Sequence, residues 1–267
     1  MSKNADLPKR LLVAMVLIGL AFIALWLGGF GFWLVITVAA ILMMGEWADL
    51  SGAGQRKRLA QYALSVPLAI LCPLAAGPGF FALGLLAGAF FFLAIVTRNA
   101  WLAAGTFYVG LPVFALLVLR AHPNGFLVTF WTMAVVWACD TGAYFAGRAI
   151  GGPKLAPGIS PNKTWAGFVG GVATAFLFTL VFVLLNPALM AGFSMILLSP
   201  LLAVLAQGGD LFESHLKRVA GVKDSGNLLP GHGGLLDRLD GLVPVAPVVA
   251  ICLALHYASV TGGSLWW

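Results

Sequence analysis

Nine apolar runs, at 11–28, 30–49, 61–77, 79–97, 101–119, 126–147, 166–185, 194–209 and 242–259, limit what this chain can become. A helix needs roughly 20 apolar residues to cross a hydrocarbon core about 30 Å thick. Inside lipid, only helices and closed barrels satisfy their own backbone polar groups. Barrel strands alternate over about ten residues, whereas these runs are continuously apolar. The expected fold class is therefore all-α: a polytopic integral membrane helical bundle of about nine transmembrane helices. Only 9% of the residues are charged, against about 25% in a soluble domain, so little is left to cover a water-facing surface. The eighth run is the weakest, being short and interrupted by Ser199-Pro200. Lys9 and Arg10 precede the first run and no convincing small-residue cleavage site follows it, so it reads as a retained helix. Cys72, Cys139 and Cys252 lie within apolar runs without metal-ligand spacing and read as small buried hydrophobes.

Positive charge sets the orientation. With nine spans and the N-terminus inside, the inner segments hold Lys3, Lys9, Arg10, Arg56, Lys57, Arg58, Arg98, Arg148, Lys154, Lys163, Lys217, Arg218, Lys223 and Arg238. Of the 15 Lys and Arg, only Arg120 falls outside, so the positive-inside rule places the N-terminus in the cytoplasm. The net charge of +6 is accordingly read as topology, not as affinity for nucleic acid. Long polar loops occur only inside and flank spans seven and eight. Residues 1–125 are expected to form a scaffold of about five helices, and 126–267 a catalytic region with its site at the cytoplasmic face. Most tryptophans, at 26, 33, 47, 101, 131, 165, 266 and 267, are expected near span ends as interfacial aromatics.

Four polar constellations stand out. Asp140 lies within a span, where an unpaired ionisable group costs roughly 3 kcal/mol or more. Tyr144 shares its face, while Gly142, Ala143, Ala146 and Gly147 permit close helix approach. The second constellation is Ser160-Pro161-Asn162, read as a turn that leads into Lys163-Thr164 at the start of span seven, a plausible phosphate site. Asp210, Glu213, Ser214 and Lys217 follow i, i+3, i+4, i+7 and form one polar stripe on a helix. Asp210 and Ser214 offer two oxygens to a hard cation, with Lys217, Arg218 and Lys223 alongside. Last comes "KDSGNLLPGHGGLLDRLDG", 223–241, a glycine-rich loop followed by Asp237 and Asp240 on one helical face. Acids for a metal, cations for phosphate and a glycine loop are the parts of metal-assisted phosphoryl or nucleotidyl transfer. Glu46 and Asp49, near the inner end of span two, either line the same cavity as these groups or face the lipid headgroups, the second being the favoured expectation.

The run Ser214-x-x-Lys217-Arg218-x4-Lys223-Asp224, continued by Pro230-x-His232-Gly233-Gly234-x-x-Asp237-Arg238-x-Asp240, closely resembles the signature of the phosphatidate cytidylyltransferases, or CDP-diacylglycerol synthases. "CDTGAYFAGR" and "SPNKTWAG" resemble that family's upstream motifs, in the expected order. Residues 1 to about 125 match only as hydrophobic spans. The resemblance implies transfer of CMP from CTP to phosphatidic acid, with release of pyrophosphate. It also implies dependence on Mg²⁺ (a second, monovalent cation being an option), a lipid-accessible cavity, a homodimer and, in a bacterium, the inner membrane. By the same resemblance Asp210, Ser214, Asp237 and Asp240 are expected to ligate metal. Asp210, Asp237, Lys217 and Asp140 are the expected catalytic groups. Ser160, Asn162, Lys163, Thr164, Tyr144, Arg218, Lys223, Asp224, His232, Gly233, Gly234 and Arg238 are the expected substrate contacts.

Two other classes fit less well. A transporter is expected to carry paired charges or broken helices near the midplane, often in repeated halves, whereas these acids and bases gather at one face. A purely structural membrane protein has little use for such a loop. Among enzymes, CDP-alcohol phosphatidyltransferases and membrane prenyltransferases also use aspartates at a membrane face. Their aspartates are spaced four apart, while Asp237 and Asp240 are three apart behind His-Gly-Gly.

Overall fold

A computed structural model describes residues 7–187, 189, 192–229 and 231–261. Lys3, Pro230, Trp266 and Trp267 lie outside the described residues. The elements run α1 (Leu7–Leu27), α2 (Gly29–Leu50), a single 3-10 turn, α3 (Lys57–Ile70), α4 (Phe80–Thr97), α5 (Ala100–Ala121) and α6 (Gly125–Ile150). A hairpin of β1 (Lys154–Ala156) and β2 (Ser160–Thr164) follows, then α7 (Trp165–Leu185), α8 (Gly192–Val219), α9 (Leu236–Leu239) and α10 (Leu242–Thr261). Among the described residues seven helices, α2, α4, α5, α6, α7, α8 and α10, are long and apolar enough to cross a membrane. The protein is a polytopic helical membrane bundle.

Three elements differ from the sequence reading. The run at 61–77 yields only the 14-residue α3, about 21 Å at 1.5 Å per residue. Pro73 follows it, and Gly77 at φ +72° returns its N–H to the Ile70 carbonyl at 3.0 Å. By contrast α8 does not break at Pro200. Its 28 residues form one helix that carries an apolar half directly into the polar stripe, about 42 Å in all. Finally Ser160-Pro161-Asn162 is not a turn. It lies in β2, antiparallel to β1, and the chain reverses at 157–159, where Pro157-Gly158 supplies the turn chemistry.

Lipid supplies no hydrophobic drive between helices, so packing and small residues hold the bundle together. The α6–α7 pair shows this best. A Cβ on Gly142 would collide with the Thr174 side chain, on Gly167 it would stand 2.8 Å from the Ala143 carbonyl, and on Gly171 2.9 Å from that of Cys139. α5 is buried along most of its length, against α4, α10 and α2. Trp47 and Trp131 are 2% and 1% exposed and belong to this core, not to the interface. Their indole N–H groups donate to the Trp101 carbonyl at 3.0 Å and the Thr179 hydroxyl at 3.0 Å.

The first two helices join through Gly28 alone, at φ +59°. Arg120 Nε donates to the Leu25 carbonyl at 3.1 Å, so the one cation assigned outside caps the end of α1. A Cβ on Gly28 would fall on that guanidinium. Gly28→Ala is expected to destabilise by about 1 kcal/mol through left-handed strain, read as a lower unfolding midpoint in detergent with catalytic parameters unchanged.

Candidate active site

The site is built where three pieces meet at one end of the bundle: the C-terminal half of α8, the hairpin, and the loop that leads into α9. On α8, Asp210, Glu213, Ser214 and Lys217 share one face as the spacing requires. Ser214 Oγ donates to Asp210 Oδ1 at 3.2 Å, and Lys217 Nζ donates to Glu213 Oε2 at 2.8 Å. A Cβ on Gly209 would strike the Asp240 carbonyl, so the bare backbone at 209 is what lets the α9–α10 junction approach Asp210.

The hairpin docks on the same helix. Lys163 Nζ pairs with Asp210 Oδ2 at 2.6 Å, and Arg218 Nε donates to the Ile159 carbonyl at 3.3 Å. Thr164 caps α7, its hydroxyl accepting from the Gly167 N–H at 3.1 Å. Lys163 therefore stands one residue before a capped helix start, held over α8 by an acid. Ser160 is half-buried and Asn162 exposed on the same strand.

Asp237 is the centre of the third piece, with its side chain only 4% exposed. Oδ1 accepts from Lys217 Nζ at 2.6 Å. Oδ2 accepts from the Gly234 N–H at 2.7 Å and the Ser225 N–H at 2.9 Å, and Ser225 Oγ lies 3.0 Å away. Burial works to raise the Asp237 carboxyl, but Lys217 and the two backbone N–H groups outweigh it and hold it below the ordinary carboxylate range. Gly233, at φ +81°, leaves room for this carboxylate: a Cβ there would lie 2.6 Å from Oδ2. Arg238 folds back and donates twice to the His232 carbonyl, at 3.1 and 2.8 Å. Asp240 accepts from the Gly241 N–H at 2.8 Å. Burial pushes the Asp240 carboxyl well above its ordinary range, and nearby Asp210 and Glu213 add to it.

The sequence reading favoured the headgroups for Glu46; the structure moves it into the site. Glu46 is 6% exposed, and its carboxylate accepts the Leu235 and Leu236 N–H groups at 2.8 Å each. Asp49 does face outward, paired with Lys57 at 2.5 Å and half-exposed. The signal that marked Asp140, a carboxylate inside an apolar run, marked Glu46 equally.

A cavity of about 460 Å³ opens beside this cluster. Its walls are apolar and come from α1, α2, α5 and α6, including Ala21, Phe32, Met43 and Trp137. Its polar end is formed by Asp140, His232, Asp237, Arg238 and Asp240. Glu213 Oε1, His232 Nδ1 and Tyr108 Oη are buried without a hydrogen-bond partner, an expensive condition for polar atoms. Two other expected contacts are not drawn in: Tyr144 is exposed and accepts from Arg148 Nη1 at 3.0 Å, and Lys223 is exposed in the loop after α8, where Asp224, also exposed, sets its side chain beside Gly233. Among the described residues, no three His, Cys, Asp or Glu side chains group closely enough to cage an ion by themselves.

A family model described as "Cytidylyltransferase family" matches residues 8–256. The chain belongs to the cytidylyltransferase family. Similar curated proteins include the phosphatidate cytidylyltransferase of Brucella suis biovar 1, 42% identical over 250 residues and 92% of each chain. That of Pseudomonas aeruginosa is 35% identical over 92% of this chain and 97% of its own. The enzyme so named in Bacillus subtilis is 42% identical over 149 residues, 55% of each. The cytidylyltransferase match starts at residue 8, so it takes in the helices that carry Glu46 and the cavity walls, which no motif in the first half had tied to the family.

Proposed function

We propose that the protein is a phosphatidate cytidylyltransferase, which transfers CMP from CTP to phosphatidic acid to give CDP-diacylglycerol and pyrophosphate. The observation that carries the reading is the cavity itself. It joins an apolar interior, suited to lipid chains, to a charged end where Asp140, Arg238 and Asp240 stand with Asp237, the carboxylate that Lys217 of α8 pairs with. A lipid phosphate at that end would have its acyl chains on the apolar walls and its anionic head beside the cations.

In this reaction a phosphate oxygen of the lipid attacks the α-phosphorus of CTP, and the bond to the β-phosphate breaks. The phosphate is already an anion, so it needs no strong base; its difficulty is approaching a second polyanion. Lys163, Lys217 and Arg238 would lower that repulsion and orient the two phosphate groups, with Arg218 and Lys223 at the outer rim. His232 would contact phosphate, a reading supported by its buried, unpaired Nδ1. Asp140 would shape the cavity's polar end.

The oxygens of Asp210, Ser214, Asp237 Oδ1 and Asp240 suit Mg²⁺ in kind. Asp240 is raised by burial and by neighbouring Asp210 and Glu213, and the half-buried Lys163 and Lys217 pair with Asp210, Glu213 and Asp237 but not with Asp240, so a cation there would relieve the crowding of carboxylates. Mg²⁺ is commonly held by one or two carboxylates together with substrate phosphates, so no three-residue cage is required. When bound, the ion would stabilise charge on the leaving pyrophosphate. A monovalent ion alongside, a homodimer, the bacterial inner membrane and a site facing the cytoplasm complete the proposal. The distribution of Lys and Arg supports that orientation.

The test is transfer of label from α-labelled CTP into chloroform-extractable lipid by the purified chain in detergent, given phosphatidic acid. Label entering lipid only when both Mg²⁺ and phosphatidic acid are present is the expected result. No label from either CTP or dCTP, in folded protein, would sink the reading.

A further inference from the structure

We propose that Glu46 is a positioning residue for the transfer reaction: from the end of α2 it holds the loop that presents Asp237. The inference rests on the cytidylyltransferase reading for its kinetic part and on geometry alone for its structural part.

Glu46 Oε1 accepts the Leu235 N–H and Oε2 the Leu236 N–H, each at 2.8 Å. These are the backbone donors just before Asp237, so the carboxylate fixes the direction in which α9 opens. Ser225 Oγ lies 3.1 Å from Glu46 Oε2 and 3.0 Å from Asp237 Oδ2, bridging the two acids. Among the described residues, no lysine or arginine pairs with Glu46. Its charge is met by N–H and O–H donors, as in other buried carboxylates that organise backbone.

The loop is also shaped around this carboxylate. A Cβ on Gly226 would stand 2.9 Å from Glu46 Oε1, and one on Gly234 2.7 Å from the same oxygen while colliding with Ser225 Oγ. Two glycines on opposite sides of the loop thus leave space for one side chain that arrives from a distant helix. Such an arrangement costs conformational entropy at both glycines. A glutamate that merely filled space would not need both N–H groups aimed at it. Glu46 is not among the residues that line the cavity; it acts through α9 and Ser225 on Asp237.

The experiment compares Glu46→Gln and Glu46→Asp with wild type and with Gly28→Ala, a substitution at the other end of α2. The difference between 46 and 28 puts them about 27 Å apart along the helix. Gln keeps the shape but turns an amide donor toward one of the two N–H groups, and Asp falls short by one methylene. A misplacement of about 1 Å costs on the order of 10²-fold in rate, so kcat is expected to fall roughly 10- to 100-fold in Glu46→Gln. The Mg²⁺ concentration for half-maximal rate should rise several-fold while KM for phosphatidic acid moves less than about twofold. Gly28→Ala should lower the unfolding midpoint without changing the Mg²⁺ requirement. Amide exchange over 224–239 should quicken in both Glu46 variants and not in Gly28→Ala.

Wild-type kcat and Mg²⁺ dependence in Glu46→Gln would overturn the proposal. So would a loss of stability that leaves the Mg²⁺ requirement untouched. If the wild-type chain transfers no CMP, the functional reading fails, and exchange decides the clamp: unchanged protection over 224–239 in Glu46→Gln refutes it.

Discussion

Asp237→Asn is expected to lower CMP transfer by about 10²–10³-fold, the usual cost of losing a preorganised charge in an active site. The reason lies in a count of donors. Lys217 Nζ, the Ser225 and Gly234 N–H groups and the Ser225 hydroxyl surround two carboxylate oxygens. An amide has one acceptor oxygen, so either orientation of Asn points its NH₂ at an ammonium or at backbone N–H groups. The variant should remain folded, with a lower unfolding midpoint in detergent. Turnover near wild type, with the proposed Mg²⁺ dependence unchanged, would remove Asp237 from the mechanism and leave it a structural residue.

Lys217→Met should produce the largest loss of stability. Lys217 is the ion-pair partner of both Glu213 and Asp237, whose side chains are 1% and 4% exposed. Removing one partner of a buried pair costs about 3–5 kcal/mol, because the remaining charge stays buried. For a chain of this size that corresponds to a fall in midpoint on the order of 10 °C, and transfer should be lost with it. Adding Glu213→Gln removes one orphaned charge and should recover part of the midpoint, a coupling that a double-mutant cycle measures. An unchanged midpoint in Lys217→Met would show that water reaches these carboxylates.

How much of this was legible beforehand depended on whether the information was local. Apolar runs became helices wherever length and composition agreed. α3 stopped at Ile70 because Pro73 and Gly77 redirected a chain that hydropathy alone would have continued. In α8 the i, i+3, i+4, i+7 stripe was readable, yet its joining to the preceding span was not. Pro200 looks like an interruption, although a proline can be carried within a helix whose neighbours satisfy the freed carbonyl. Ser160-Pro161-Asn162 has turn composition, but a two-stranded hairpin also tolerates proline, since each strand is an edge. The signature loop located Asp237 and its glycines. It could not show that Gly226 and Gly234 make room for Glu46, because nothing around Glu46 records a partner so far along the chain. Trp47 and Trp131 lie toward the ends of their helices as expected, but their burial was not legible for a similar reason: their indoles found partners at residues 101 and 179.

That distance has a consequence for how the protein is made. Glu46 and Leu235 are separated by 189 residues. At about 5–20 residues per second, a ribosome takes roughly ten to forty seconds to pass from one to the other. Throughout that interval α2 is already made, while the donors for its carboxylate do not yet exist. An unmatched carboxylate is costly in hydrocarbon, so the end of α2 must stay near water until α9 arrives. Assembly of the proposed catalytic loop is thus a late event in biosynthesis, and a ribosome stalled before residue 235 would leave a bundle with its first helices inserted and the candidate site unmade.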